Sequence, residues 1–126
     1  MNLTYAEFHS YVGTIAVHLR RDSFIPKYIV AQREGLIAAA FLARRFSFSP
    51  IVLDFMEIRT GSVQDNVLVI ATVSNEFEAN MYETLRQVFG QYSNVKLRTA
   101  ALVECSFPVD YSAMQLPEEP GMPWQV

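Results

Sequence analysis

A chain of 126 residues, 51% hydrophobic and only 18% charged, is long enough to bury a substantial core within one domain. The net charge of −3 divides into +2 for residues 1–60 (seven Lys and Arg, five Asp and Glu) and −5 for residues 61–126 (three and eight), so neither half indicates nucleic-acid binding. The longest apolar run, residues 36–43, is far shorter than the roughly 20 residues that span a bilayer. The N-terminus has no basic or apolar signal region, and the single Cys105 excludes an internal disulfide. We therefore expect a cytoplasmic protein without a membrane or nucleic-acid partner.

Capping and periodicity signals divide most of the chain into helices and strands. Thr4 and Glu7 have the spacing of a capping box, and the apolar residues that follow recur at helical intervals. The strand segments are instead short runs of almost continuous apolar residues. In chain order, the sequence predicts a helix to about Arg21, a strand at Tyr28–Ala31, a helix at Leu36–Arg45, strands at Ile51–Ile58 and Val67–Val73, a helix at about Glu76–Tyr92 and a strand at Val95–Cys105.

The remaining segment, residues 106–126, contains four prolines and is predicted to be an irregular tail that wraps the surface of a single domain spanning residues 1–126. Within this tail we expect Glu118 and Glu119 to form a solvated charge pair. Trp124 is expected to anchor the tail on the body of the domain, with an interface as the alternative. Nearly continuous apolar strands that alternate with helices favour an α/β fold with a central, mostly parallel sheet and helices on both faces.

Two separated segments carry recognisable motifs. Residues 31–39 read AQREGLIAA, and residues 67–79 read VLVIATVSNEFEA. The chain thereby resembles the type I phosphoribosyltransferases, closest to the small hypoxanthine/xanthine purine branch. In that family the first motif helps to hold pyrophosphate and the second binds phosphoribosyl pyrophosphate (PRPP). The resemblance covers nearly the whole chain and implies a phosphoribosyltransferase-like fold. It also implies that Arg33, Gly35, Ser74 and Asn75 stand at relic phosphate or pyrophosphate positions.

The second motif departs from the family pattern at its polar positions. Two adjacent acids that hold the ribose hydroxyls in the family are Ala71 and Thr72 here. The turn that wraps the 5′-phosphate is replaced by residues 76–79, EFEA, which puts two carboxylates where a dianion would bind. As residues of a first helical turn, these glutamates are better explained by the helix dipole than as a general-acid pair. The family's long hood is expected to be reduced or absent, because only about residues 59–66 connect the second and third strands.

These departures lead to the interpretation that the chain has lost PRPP-dependent catalysis. It would then act as a binding, regulatory or assembly module, with self-association or a protein partner and with no cofactor or metal. One alternative is an active purine-type phosphoribosyltransferase with an altered site, which would need Mg²⁺ and PRPP. That alternative requires another acid cluster, for which only Asp54, Glu57 and Asp65 are close in sequence. The other alternative is a sensor that binds a nucleotide or nucleobase without turnover.

Overall fold

The computed structural model describes residues 2–58, 65–90 and 94–125. Helices and strands follow one another in the predicted order, with one additional strand near the C-terminus. The predicted end of the third helix at Tyr92 and most of the connection at residues 59–66 lie outside the described residues. The elements are α1 Tyr5–Arg21, β1 Tyr28–Ala31, α2 Gly35–Ala43, β2 Ile51–Asp54, a 3₁₀ helix Phe55–Glu57, β3 Asp65–Ser74, α3 Glu76–Phe89, β4 Val95–Glu104 and β5 Tyr111–Gln115.

The five strands form one parallel sheet in the order β2-β1-β3-β4-β5. The prediction of a parallel sheet with Val67–Val73 at its centre is confirmed, since β3 pairs with both β1 and β4. From β1 the chain moves outward to β2 and then returns to β3 on the other side of β1. This reversal makes the gap between the carboxyl ends of β1 and β3 a topological switch point, where α/β proteins commonly bind ligands.

Helices cover both faces of the sheet, as predicted. Alternate residues of β3 point to opposite sides, so that Leu68 and Ile70 pack with α1 and α2 while Val67 and Val69 pack with α3. The capping box that begins α1 is also present, with the Thr4 hydroxyl accepting from the Glu7 amide. Within the described residues, no helix combines the length and apolar character needed to cross a membrane.

The predicted strand Ile51–Ile58 is wrong in its second half. The strand ends at Asp54, whose carboxylate accepts a hydrogen bond from the Met56 amide at 3.0 Å. This side-chain bond caps the 3₁₀ helix Phe55–Glu57 and turns the chain away from the sheet. Glu57 therefore does not belong to a strand.

The prediction that residues 106–126 contain no regular structure is also wrong. Residues Tyr111–Gln115 form β5, which pairs in parallel with β4 along one edge of the sheet. The prolines at 108 and 117 flank this segment without interrupting it, so every residue in the strand keeps its amide donor. The tail after β5 does pack on the body as expected, since the Trp124 ring lies edge-on to Phe8 with centroids 5.2 Å apart.

Candidate functional site

A cleft of about 360 Å³ lies at the carboxyl ends of β1 and β3, at the topological switch point. Its volume falls within the range of small-molecule sites. Three parts of the chain form its walls: the β1–α2 loop, the junction of β3 with α3, and the C-terminal tail. The lining residues are Arg33, Glu34, Thr72, Val73, Asn75, Phe77, Glu78, Glu119, Pro120, Met122 and Gln125.

Asn75 connects two walls of this cleft through its side-chain amide. As the N-cap of α3, it adopts an extended backbone conformation, and its Oδ1 accepts from the Glu78 amide at 2.9 Å. Its Nδ2 donates to Glu119 Oε1 of the tail at 2.6 Å. A backbone amide that could hold a phosphate is thereby already bonded within the protein, and a carboxylate lies next to it.

The β1–α2 loop holds its arginine beside the same helix. Arg33 has a φ of 52°, in the left-handed region, and its guanidinium carbon lies 4.4 Å from the centroid of the Phe77 ring. Gly35 follows at the start of α2, where a Cβ would lie 3.1 Å from the Ile70 carbonyl oxygen. The glycine thus lets the loop approach the backbone of β3 closely.

The described residues that line the cleft make it electronegative, because they include three carboxylates and one arginine. Glu34 accepts from Gln125 Nε2 at 2.9 Å, and Glu78 accepts from Gln32 Nε2 at 3.0 Å. Burial raises the pKa of Glu78, and repulsion by Glu119 raises it further, against the opposing effects of Gln32 and Arg33. This distribution of charge favours uncharged or cationic groups over phosphates.

Of the four residues that the resemblance places at relic phosphate or pyrophosphate positions, two line the cleft. Arg33 and Asn75 line the cleft. Gly35 packs against the β3 backbone, and Ser74 is fully buried, with its hydroxyl accepting from the Cys105 amide at 3.2 Å. Of the two positions where the family has adjacent acids, Ala71 is buried beneath α3 and Thr72 faces the cleft.

The C-terminal tail contributes side chains to the cleft that the sequence does not predict. Glu118 and Glu119 are both exposed, as expected, but Glu119 also accepts a hydrogen bond from Asn75. Gln125 reaches Glu34 on the opposite side of the cleft. No local sequence signal indicates either hydrogen bond.

An active phosphoribosyltransferase with an altered site would need acids in the cleft, but two of the three candidates form bonds in other parts of the structure. Asp54 caps the 3₁₀ helix, and Asp65 forms an ion pair with Lys27 at 3.3 Å. Among the described residues that line the cleft, neither of these acids nor Glu57 is present. The described part of the chain also contains no group of three or more His, Cys, Asp or Glu side chains arranged to hold a metal ion.

No protein-family model matches the chain, and no curated protein matches its sequence. Solved structures do match over its full length. A purine phosphoribosyltransferase from Pyrococcus horikoshii Ot3 superimposes with a TM-score of 0.78, covering 100% of this chain and 94% of that protein at 18% identity. The fold is that of the purine phosphoribosyltransferases.

Two further solved structures match this chain with similar TM-scores. A xanthine-guanine-hypoxanthine phosphoribosyltransferase from Helicobacter pylori gives a TM-score of 0.78 at 14% identity, covering 99% of this chain and 92% of that one. A hypothetical protein from Neisseria gonorrhoeae with bound ppGpp gives 0.77 at 16% identity, covering 100% and 89%. The resemblance seen in residues 31–39 and 67–79 is therefore confirmed at the level of the phosphoribosyltransferase fold.

Proposed function

We propose that this chain is a binding module with a phosphoribosyltransferase fold that does not catalyse PRPP-dependent transfer. The observation that carries the proposal is the state of the β3–α3 junction. There the Glu78 amide already donates a hydrogen bond to the Asn75 side chain, and the carboxylates of Glu78 and Glu119 line the adjoining cleft. Phosphate sites at helix N-termini depend on free backbone amides and on positive charge.

Electrostatics support the same proposal. Two unit charges about 5 Å apart repel by roughly 1 to 3 kcal/mol at the effective dielectric of water or a protein surface. A phosphate in the cleft would face Glu34, Glu78 and Glu119, and among the described lining residues Arg33 alone would compensate. In addition, the Arg33 guanidinium is already placed over the Phe77 ring. The phosphate groups of PRPP would therefore be repelled by the net negative charge of the cleft.

A protein partner or a second copy of the chain fits a role as a regulatory or assembly module, and the module would act in the cytoplasm without a cofactor. A nucleotide sensor is the second candidate. It is favoured by the ppGpp-bound Neisseria protein of the same fold and by a cleft large enough for a small ligand. A sensor would bind without turnover, and any native-state ligand would raise the apparent stability by RT ln(1 + [L]/Kd).

The test is a transfer assay with the purified protein, Mg²⁺, PRPP and hypoxanthine, guanine or xanthine in turn. We expect no nucleotide above a heat-inactivated control. Nucleotide formation that disappears in an Asn75→Ala variant would show catalysis at this cleft and would refute the proposal. A thermal-shift series with the same bases, nucleotides and PRPP then separates the two non-catalytic candidates, because only the sensor is stabilised by a nucleotide or base.

A further inference from the structure

The segment from Glu119 to Gln125, here named the tail strap, crosses the cleft and is hydrogen-bonded at both of its sides. At one end Glu119 Oε1 accepts from Asn75 Nδ2 at 2.6 Å, at the N-terminus of α3. At the other end Gln125 Nε2 donates to both carboxylate oxygens of Glu34 at 2.9 Å. Between them Met122 is buried and forms part of the cleft wall.

The N-terminal residues Asn2 and Leu3 also bind the tail strap. The Leu3 amide donates to the Gly121 carbonyl at 2.8 Å, and a single bridge pairs Asn2 with Gly121. The Gln125 side chain accepts from the Met122 amide at 2.8 Å, which fixes the turn between them. The position of Glu119 thus follows from packing and hydrogen bonds along the whole strap.

Glu119 is the only charged residue of the strap sequence EPGMPWQ. Its carboxylate lies beside the first turn of α3, where the positive end of a helix dipole favours an anion. Burial is the main cause of the raised pKa values of Glu78 and of the Cys105 thiol, and repulsion by Glu119 raises both pKa values further.

We propose that Glu119 determines the charge of the ligands that the cleft accepts. Its carboxylate lies beside the N-terminus of α3, bonded to the Asn75 side chain, so that it repels phosphate-bearing groups and leaves the cleft to uncharged or cationic ligands. The inference rests on the proposed function in that it takes this cleft as the binding site. It goes further by assigning the selectivity to one side chain outside the two motifs.

Glu119→Gln is the direct test because glutamine keeps the shape and an oxygen that can accept from Asn75, while it removes the charge. The matched control is Glu118→Gln, which makes the same change at the exposed neighbouring residue, outside the cleft lining. The probe is inorganic pyrophosphate, titrated calorimetrically at pH 7.5 and low salt. We expect Glu119→Gln to bind pyrophosphate at least about tenfold more tightly than the wild type and Glu118→Gln, and Glu119→Lys to bind more tightly still.

A third variant separates charge from physical covering. Gln125→Ala removes the bond to Glu34 and loosens the strap but leaves the Glu119 charge in place. Tighter pyrophosphate binding in Gln125→Ala but not in Glu119→Gln would overturn the proposal. The tail strap would then exclude anions by covering the cleft and not by its charge. Equal gains in Glu118→Gln and Glu119→Gln, or no gain in any variant, would overturn it too. Raised salt should reduce the gain. Nucleotide formation by the wild type would refute the proposed function instead and is measured separately.

Discussion

Removal of the Asn75 side chain should destabilise the junction between α3 and the tail strap. In Asn75→Ala the Glu78 amide loses its 2.9 Å acceptor, and Glu119 loses its 2.6 Å donor. The first loss exposes the unsatisfied start of α3, and the second releases one end of the strap.

The size of the effect follows from the two hydrogen bonds. Loss of an Asn N-cap costs about 1 kcal/mol, and the solvent-exposed bond to Glu119 should add roughly 0.5 kcal/mol. A total of about 1.5 kcal/mol, divided by a urea m-value of roughly 2 kcal/mol/M, lowers the unfolding midpoint by about 0.7 M. Asn75→Ser keeps a good N-cap but cannot reach Glu119, so we expect it to recover about 1 kcal/mol of this loss.

The assay is equilibrium urea unfolding followed by far-UV circular dichroism. Asn80→Ala is the control, because Asn80 is an exposed residue in the interior of the same helix and alanine is the better helix former there. The control should unfold at the wild-type midpoint or slightly above it. Equal unfolding midpoints for Asn75→Ala and Asn80→Ala would show that the two Asn75 hydrogen bonds do not stabilise the fold.

Three more substitutions test the structure around the site. The pKa of Glu78 is raised above 4.5 in the folded state, so its contribution to stability is full below pH 4.5 and is lost as the pH rises through the folded pKa. Glu78→Gln should therefore have the same unfolding free energy as the wild type at pH 4 and a higher one at neutral pH. A pH series of urea unfolding curves will check this. Tyr82→Phe removes a buried 2.8 Å hydrogen bond to the Ala100 carbonyl and should cost about 1 to 2 kcal/mol of unfolding free energy, whereas the exposed Tyr5→Phe should cost nothing measurable by the same method. Ala71→Asp, which returns one family acid, places a carboxyl at a position only 1% exposed and should lose several kcal/mol of stability without gaining transfer activity; a stable variant that forms nucleotide would contradict this expectation.

The central strands could be predicted because a strand that is buried on both faces consists almost entirely of apolar residues. Val67–Val73 is almost entirely apolar and forms the centre of the sheet, with neighbours on both sides. β5 was missed because the surrounding prolines suggested irregular structure, although Tyr111–Gln115 itself contains none. The early end of β2 depends on one side-chain bond of Asp54, and strand propensity contains no information about such a bond.

The site could be predicted only where it depends on local sequence. Arg33 and Asn75 belong to the two motifs and do line the cleft. Glu119 lies 44 residues from Asn75, and Gln125 lies 91 residues from Glu34. Contacts at such separations arise from how the tail packs after β5, and a pattern read along the chain does not encode them.

We propose that the β3–α3 junction does not hold phosphate groups. The most direct test of this proposal is calorimetric titration of the wild-type protein with PRPP in the presence of Mg²⁺, since any catalyst of PRPP-dependent transfer must bind this substrate. With Glu78 and Glu119 at the junction and the Glu78 amide already bonded, we predict no saturable binding up to about 1 mM PRPP. Saturable binding at micromolar PRPP, weakened by Asn75→Ala, would contradict the account.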